Sequence, residues 1–276
     1  MTRRHDVGKR IATLREIDEI LTAMKNLSLV EVRRIEGFIE AQRAALAVIE
    51  DAAADFLLDY GETIRPGPSG NDVLCIIGSE RGFCGDFNAR VAEEAVRWQG
   101  GRPAPAAVLL VGERLVGAWG GEVTAAIPGA SVADEVPQAL QAMAEQLRRL
   151  LAEGDQLAPC ALVVVHQAAD GPSARRLLPI PEPAARARAL PHPVLLNLTP
   201  ANFFAELTDQ FLYAALQSAL YESLLRENQT RLDHMEQAIR KLQDDLEALG
   251  RRRNHLRQEE ITEEIEVILL NALVTT

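Results

Sequence analysis

The chain has 276 residues, and its 40 acidic and 29 basic side chains give a formal net charge of -11. A hydrophobic content of 47% with 25% charged residues is ordinary for a folded protein and excludes a disordered chain. Phosphate contacts need clustered positive charge, so the acidic balance argues against a nucleic-acid partner. Three cysteines without a Cys-x-x-Cys spacing argue against a disulfide framework or a cysteine zinc site.

Neither a targeting segment nor a membrane span is predicted. The longest apolar runs, such as Val267–Leu270, fall far short of the ~20 residues that span a bilayer. The first residues, MTRRHDVGKR, are charged and lack the apolar stretch of a signal peptide. We therefore expect the protein to be kept in the cytoplasm.

Proline placement divides the chain into three parts. All 14 prolines lie between Pro66 and Pro200. Proline inside a helix removes a hydrogen bond and clashes with the preceding turn, so long helices form where proline is missing. We expect a helix over residues 1–62, an α/β domain over 63–199 and a second helix over 200–276.

Both terminal segments carry an apolar stripe with steps of three and four residues. The N-terminal stripe consists of Val7, Ile11, Leu14, Ile17, Leu21, Met24 and Leu27. The C-terminal stripe consists of Leu232, Met235, Ile239, Leu242, Leu246, Leu249 and Leu256. Such spacing is typical of a left-handed coiled coil. Because a compact domain joins the two helices, we expect them to pair antiparallel. The alternative is that each helix packs separately against that domain.

The central segment alternates between strand and helix patterns. Apolar runs predict buried strands at Val73–Ile77, Ala107–Val111 and Ala161–Val165, with helices at Ala89–Trp98 and Pro137–Ala152. This alternation is typical of a parallel α/β sheet. The stretch Gly171–Pro193 is rich in Pro, Ala and Arg, and we interpret it as a loop or an irregular strand.

A glycine-bearing turn, Gly78–Asn88, follows the first predicted strand and is the strongest candidate for chemistry. It is neither a P-loop nor a GxGxxG fingerprint. Cys84 at a helix N-terminus would need a base to act as a nucleophile, and His166 at a strand end is the histidine whose position suits catalysis. We favour a tight turn with a small buried thiol, and predict no catalytic, cofactor-binding or metal-binding residue.

The end of the last helix has an unusual order of charges. A basic collar of Arg251, Arg252, Arg253 and Arg257 is followed by an acidic stretch of Glu259, Glu260, Glu263, Glu264 and Glu266. The following segment, Val267–Val274, is almost wholly apolar. An apolar tip on a long helix indicates that another protein supplies a hydrophobic sleeve for it.

Three segments resemble one known family, the gamma subunit of F-type ATP synthases. Within Ile11–Arg34, the residues Ile20–Met24 stand for the family's Ile-Thr-Lys-Ala-Met. The sequence GSERGFCGDFN at Gly78–Asn88 resembles its Ser-(Asp/Glu)-Arg-Gly-Leu-Cys-Gly-Gly turn. Glu227–Ile268 resembles its C-terminal helix, most clearly at Asn254–Glu266.

The resemblance implies both an architecture and a role. The terminal helices would form an antiparallel coiled coil with a Rossmann-like α/β domain beside it. The chain would be the rotor shaft inside a hexamer of alpha and beta subunits, meeting the epsilon subunit and the membrane c-ring. Rotation would couple transmembrane ion flow to ATP synthesis or hydrolysis in the beta subunits. The chain would have no active site or cofactor of its own, and would lie as a peripheral protein on the cytoplasmic face of the bacterial inner membrane.

The resemblance also implies contact residues and shows departures. Residues carried over as beta-subunit contacts are Met24, Arg231, Arg257, Gln258 and Thr262. Residues 1–62 hold 9 basic and 12 acidic side chains, a net charge of -3, where the family's first helix is strongly basic. Asp18 and Glu19 replace basic positions, Thr22 replaces the motif lysine and Asp86 replaces a glycine. These changes suggest a divergent member, of the alternative N-type bacterial ATPases.

Two other functions fit parts of the sequence. An α/β nucleotide- or small-molecule-binding enzyme with a coiled-coil arm for oligomerisation would bind its ligand near Gly78–Gly85. A generic coiled-coil adaptor would leave the matches at Arg257–Thr262 without a role.

Overall fold

The computed structural model describes residues 2–64, 71–153, 160–180 and 194–274. The helices are α1 (Thr2–Ile64), α2 (Phe87–Gln99), α3 (Glu113–Val116), α4 (Val136–Glu153) and α5 (Pro200–Val274), with a 3-10 turn at Ala133–Glu135. The strands are β1 (Asn71–Ile77), β2 (Ala107–Val111), β3 (Ala125–Ile127), β4 (Cys160–Ala168) and β5 (Gly171–Leu178). Both proline-free segments are therefore single long helices, as predicted, and every predicted strand and central helix is present.

The chain forms two compact units. The first comprises Met1–Ser28 and Arg231–Thr276, and the second comprises Leu29–Thr230. Each long helix contributes residues to both units. Across the described ranges, no helix has an apolar stretch long enough to cross a bilayer.

The sheet of the second unit has the strand order β3-β2-β1-β4-β5. The three predicted strands β1, β2 and β4 are parallel, as predicted; the unpredicted β3 is parallel to β2, and β5 runs antiparallel to β4. The sheet is mixed because Ala168 and Gly171 are joined by a two-residue turn, and a connection that short can only make a hairpin. The segment 171–178, interpreted from its composition as a loop or irregular strand, is this edge strand, while 181–193 lies outside the described residues.

The sheet separates two apolar clusters. Alternate strand side chains, such as Val73 and Leu162, pack on one face with α4 and with the central parts of α1 and α5. Their neighbours, such as Leu74 and Val163, pack on the other face with α2, α3 and Trp119. Because both faces are covered, β1, β2 and β4 each contain five consecutive apolar residues, at 73–77, 107–111 and 161–165, and these runs are what predicted the strands.

The first unit is an antiparallel pair of helices. Arg4 Nη1 lies 2.6 Å from Glu260 Oε2, and Lys25 Nζ lies 3.7 Å from Glu236 Oε1, so the partner number falls as the residue number rises. The predicted stripe of α5, from Leu232 to Leu256, is buried or half-buried at all seven positions.

The stripe of α1 differs from the prediction at two positions. Ile17 is 40% exposed and Leu27 is 66% exposed, while the neighbouring Asp18 and Ser28 face inward. Regular steps of four and three from Val7 reach residues 11, 14, 18, 21, 25 and 28. Helix geometry therefore places Asp18 and Ser28 on the inward face and leaves Ile17 and Leu27 outside it. One carboxylate oxygen of Asp18, Oδ1, is buried without a hydrogen-bond partner.

We expect Asp18→Leu to stabilise the helix pair by about 1–2 kcal/mol, because it replaces an unsatisfied buried oxygen with an apolar contact. Chemical unfolding followed by circular dichroism should show a higher midpoint. Glu16→Leu, at an exposed position on the same helix, is the matched control and should leave the midpoint nearly unchanged. Equal midpoints for wild type and Asp18→Leu would contradict this account of the seam.

Candidate functional site

The turn Gly78–Asn88 is closed by its own side chains. The backbone amide of Ser79 donates to Asn88 Oδ1 at 2.8 Å, and Asn88 Nδ2 donates back to Ser79 Oγ at 2.8 Å. The thiol of Cys84 also donates to Ser79 Oγ, with a sulfur-to-oxygen distance of 3.2 Å. Polar groups that an α/β enzyme would aim at a ligand are here directed at one another.

Glu80, within this turn, holds the two neighbouring turns through its carboxylate. Its Oε2 accepts hydrogen bonds from the backbone amides of Glu113, at 3.0 Å, and Gly129, at 2.7 Å. These amides follow β2 and β3, so one carboxylate from the β1 turn joins the carboxyl ends of three neighbouring strands. The carboxylate of Glu80 thus accepts the hydrogen bonds that a bound phosphate accepts from backbone amides in phosphate-binding proteins.

Two glycines permit the close approach of the turns. A Cβ atom on Gly78 would lie 2.6 Å from both Asn88 Oδ1 and Leu115 Cβ. Gly112 has a φ of +106°, and a Cβ there would lie 2.8 Å from the carbonyl oxygens of Gly78 and Ser79. These glycines therefore serve packing between loops.

Cys84 and His166 lie on opposite faces of the sheet. Cys84 belongs to the cluster on the α2 side. His166 extends from β4 toward α1 and α5, where it lines a small cavity with Val164 and Leu177. Alternation along a strand fixes this separation, so His166 does not serve as a base for Cys84. The structure therefore supports the tight-turn interpretation over the nucleophile hypothesis.

Two further observations concern a second thiol and the possible metal ligands among the described residues. Burial raises the pKa of the Cys75 thiol to about 12, which keeps it protonated and unreactive near neutral pH. In the described ranges, no three His, Cys, Asp or Glu side chains come together in a way that could hold a metal ion.

We expect Glu80→Ala to destabilise the second unit by about 2 kcal/mol, because it leaves two backbone amides without their charged acceptor. The matched control is Glu113→Ala, since that exposed side chain can be removed while its amide remains. Urea unfolding of both variants measures the difference. Equal midpoints would show that water replaces the carboxylate without cost.

A second polar cluster lies on the other face of the sheet, in a cavity of about 240 Å³. His166 Nε2 and Arg43 Nε each lie 3.2 Å from a carboxylate oxygen of Glu222, and Arg175 of β5 pairs with Glu50 of α1. Burial acts to raise the pKa of Glu222, but the hydrogen bonds from His166 and Arg43 and their electrostatic interaction with the carboxylate outweigh it, so the pKa is lowered. The cluster joins α1, α5, β4 and β5 within the second unit.

The lowered pKa of Glu222 predicts a pH-dependent contribution to stability. A carboxylate with a depressed folded-state pKa stabilises the protein above its unfolded-state pKa, and the contribution is lost as the pH falls through the folded-state value. We expect Glu222→Gln to cost about 1–2 kcal/mol at pH 7 and progressively less below about pH 4.5.

Urea unfolding of wild type and Glu222→Gln between pH 7 and pH 3 measures this difference. Glu93→Gln, at an exposed position on α2, is the control and should follow wild type throughout. A gap between wild type and Glu222→Gln that stayed constant down to pH 3 would exclude the carboxylate charge as its source.

The five residues predicted to contact a beta subunit all belong to the first unit. Arg257, Gln258 and Thr262 are exposed, and Thr262 Oγ1 donates to the carbonyl oxygen of Gln258 at 2.9 Å. Met24 is half-buried. Arg231 is only 5% exposed and offers little surface to a partner as it stands.

Apolar side chains near the end of α5 are open to solvent, including the first three of the predicted apolar tip; the side chains of residues 270–274 lie outside the described part of the chain. Their exposed fractions lie between 46% and 65% at Ile261, Ile265, Val267, Ile268 and Leu269. On α1, Ile20 is 59% exposed and adds to the open apolar surface of the same unit. Such surface indicates a protein partner.

Fold and site together define a class of protein: a chain with two long terminal helices, an α/β domain between them in the sequence, and a turn after β1 whose polar groups hydrogen-bond to one another. The sequence profile described as ATP synthase matches residues 4–272. The chain therefore belongs to the ATP synthase gamma family.

Individual relatives agree with this assignment. The chain is 26% identical over 291 residues to the ATP synthase gamma chain of Rhizobium johnstonii, covering 97% of each chain. It is 24% identical to the gamma chain of Desulforamulus reducens, covering 98% of each. The fold is similar to that of a rotor chain in the Euglena gracilis mitochondrial ATP synthase, with a TM-score of 0.60, 15% identity and coverage of 94% of this chain and 99% of that one. A central-stalk chain of the Tetrahymena thermophila enzyme gives a TM-score of 0.58 at 17% identity, covering 79% and 99%.

Proposed function

We propose that this chain is the central shaft of a rotary ATPase and couples ion flow across a membrane to ATP synthesis or hydrolysis. The observation that carries the proposal is the family match over residues 4–272. The proposed partners are the alpha and beta subunits around the helix pair, and the epsilon subunit and membrane c-ring at the base. The shaft would work on the cytoplasmic face of a bacterial inner membrane.

The proposed mechanism needs no bond-making by this chain. Three catalytic sites that are identical in sequence can differ only if something asymmetric contacts each of them differently. Two paired helices present a different face in every direction, so each orientation of the shaft would stabilise a different set of beta-subunit conformations. The free energy available for coupling equals the difference between these contacts, and it acts in both directions.

The exposed surfaces of the first unit support this role. The open apolar side chains from Ile261 to Leu269 suit a hydrophobic sleeve, which holds a turning shaft by contacts without fixed direction. The exposed Arg257, Gln258 and Thr262 would make directional contacts with beta-subunit loops as each loop passes. Met24 would present an apolar side chain that passing carboxylates do not bind, and Arg231 would contribute through its small exposed edge.

Two finer assignments belong to the same proposal. The functional division would follow residues 1–62, 63–199 and 200–276, with the two outer segments as the shaft. The acidic replacements at Asp18 and Glu19 favour an N-type member. The subtype remains a prediction, which the partner subunits encoded beside this chain would decide.

The direct test is co-expression with alpha and beta subunits from the same genome, followed by gel filtration and an ATPase assay. We expect one copy of this chain with three alpha–beta pairs, and ATP hydrolysis by the complex. The enzyme alternative instead requires turnover by the isolated chain. A chain that stays apart from alpha and beta would overturn the proposal.

For the contact residues, we expect Gln258→Ala and Thr262→Ala to lower ATP-driven pumping about threefold or more, because each removes a directional contact worth about 1 kcal/mol. Helical content and thermal midpoint of the isolated chain should stay unchanged, since both side chains are exposed. Thr262→Ser, which keeps the hydroxyl, and Gln243→Ala, at an exposed position elsewhere on α5, are the controls. Unchanged ATPase and pumping rates in the assembled complex would remove these residues from the proposal.

A further inference from the structure

The segment that leads into α5, residues 194–199, is held at its first residue by side chains of α1. The backbone amide of Val194 donates to Asp59 Oδ2 at 2.8 Å, and the hydroxyl of Tyr60 donates to the carbonyl oxygen of Val194, also at 2.8 Å. Two neighbouring side chains of one helix thus bind both backbone polar groups of one residue. We call this pair of hydrogen bonds the Val194 clamp.

The same segment is held at its other end by a helix cap. Thr199 Oγ1 accepts a hydrogen bond from the backbone amide of Asn202 at 3.4 Å, and the carbonyl oxygen of Thr199 accepts one from the amide of Phe203 at 2.9 Å. Threonine is a preferred residue before the first turn of a helix, and Pro200 suits the first helical position. Residues 195–198 therefore lie between two fixed points of the backbone.

Packing holds the hydroxyl of Tyr60 in place. Its ring stacks on Phe56, with 5.2 Å between the ring centroids, and the ring of Phe203 lies 4.9 Å from that of Phe56. Phe56 is buried, and Leu196 packs against the same apolar cluster. A tyrosine whose ring is fixed by aromatic neighbours has little freedom to turn its hydroxyl away from Val194.

Leu195 is the most exposed apolar side chain of this segment. It is 97% exposed, whereas Val194 and Leu196 on either side are half-buried. Leu198 is 50% exposed, and Leu58, next to the clamp residues on α1, is 55% exposed. A side chain on a fixed backbone loses little conformational entropy when it enters a pocket, so the Val194 clamp makes Leu195 a preformed anchor for binding.

We propose that Asp59 and Tyr60 are positioning residues, which hold Leu195 in the orientation in which it enters an apolar pocket on the epsilon subunit. This inference rests on the proposed function. Neither clamp side chain needs to touch epsilon, because both act through the backbone of Val194. Their contribution is to lower the entropy cost of binding, which would be larger for a flexible segment.

The position of the clamp along α1 favours epsilon over the alpha and beta subunits as the partner. The first unit contains α1 only as far as Ser28, whereas Asp59 and Tyr60 lie near the other end of this helix, which ends at Ile64. The proposed function assigns alpha and beta to the helix pair and epsilon to the base. An exposed leucine on a fixed backbone fits the apolar core of an interface with a folded subunit.

The test measures the affinity of the full chain for the epsilon subunit from the same genome, by isothermal titration calorimetry. Tyr60→Phe removes one hydroxyl and keeps the ring that stacks on Phe56. Leu195→Ala removes the anchor and keeps the clamp, and a third variant combines both substitutions. Tyr213→Phe, at an exposed position on α5, is the matched control. Urea unfolding of each chain reports any change in stability.

We expect Tyr60→Phe to weaken the affinity for epsilon about fivefold, the factor that corresponds to one hydrogen bond, and Leu195→Ala to weaken it about tenfold or more. The double variant should bind within about twofold of Leu195→Ala alone, because the clamp acts only through the leucine. Asp59→Ala should reproduce the loss of Tyr60→Phe, and Tyr213→Phe should bind like wild type.

Unchanged affinity of Tyr60→Phe, or of Leu195→Ala, would overturn the inference. Losses of binding free energy that add in full in the double variant would also overturn it, since they would show that the hydroxyl and the leucine act independently. A wild-type chain that assembles with alpha and beta but not with epsilon would overturn the partner and leave the shaft intact. Failure to assemble with alpha and beta would instead overturn the proposed function.

Discussion

The pairing of the two terminal helices is the constraint on which the rest of the structure depends. In the unit of residues 2–28 and 231–274, α5 buries or half-buries its apolar stripe, and α1 turns inward a row of mostly apolar side chains that includes Asp18 and Ser28. An isolated helix of this length would leave that stripe in water, and its stability would rest on propensity alone. The helices pair antiparallel, and the pairing decides which side chains of this unit face inward. The side chains that do not face the partner helix form its exposed surface.

The sequence predicted those features that depend on burial. Apolar runs identified β1, β2 and β4 because strands covered on both faces need apolar side chains, whereas β3 and β5 lack such runs and were not identified. Periodic apolar residues identified the seam of α5 because they are buried or half-buried there. The seam of α1 was predicted less well, because an apolar stripe can be traced through Ile17 and Leu27 while the regular steps pass through Asp18 and Ser28. Where polar residues occupy a seam, hydrophobicity alone does not locate it.

Polar contacts between residues far apart in the chain could not be predicted from the sequence. Glu80 accepts hydrogen bonds from amides that lie 33 and 49 residues away in the sequence. Nothing in the sequence around Glu80 distinguishes it from a solvent-exposed glutamate. The cluster around Glu222 combines four elements in the same way. The turn Gly78–Asn88 shows the converse: its glycines and small polar residues are typical of ligand loops, yet the structure directs them at each other. A motif typical of ligand loops therefore does not mark a ligand site when the protein's own side chains take up its hydrogen bonds.

The cluster at Glu222 has a mechanical consequence. Its carboxylate is held by Arg43 of α1 and by His166 of the sheet, and Arg175 of the sheet holds Glu50 of α1. Turning one long helix about its own axis within the second unit would break charge-assisted bonds on both sides. Torsion that enters through either helix is therefore shared with the sheet, which gives this unit stiffness against twist that neither helix would have alone.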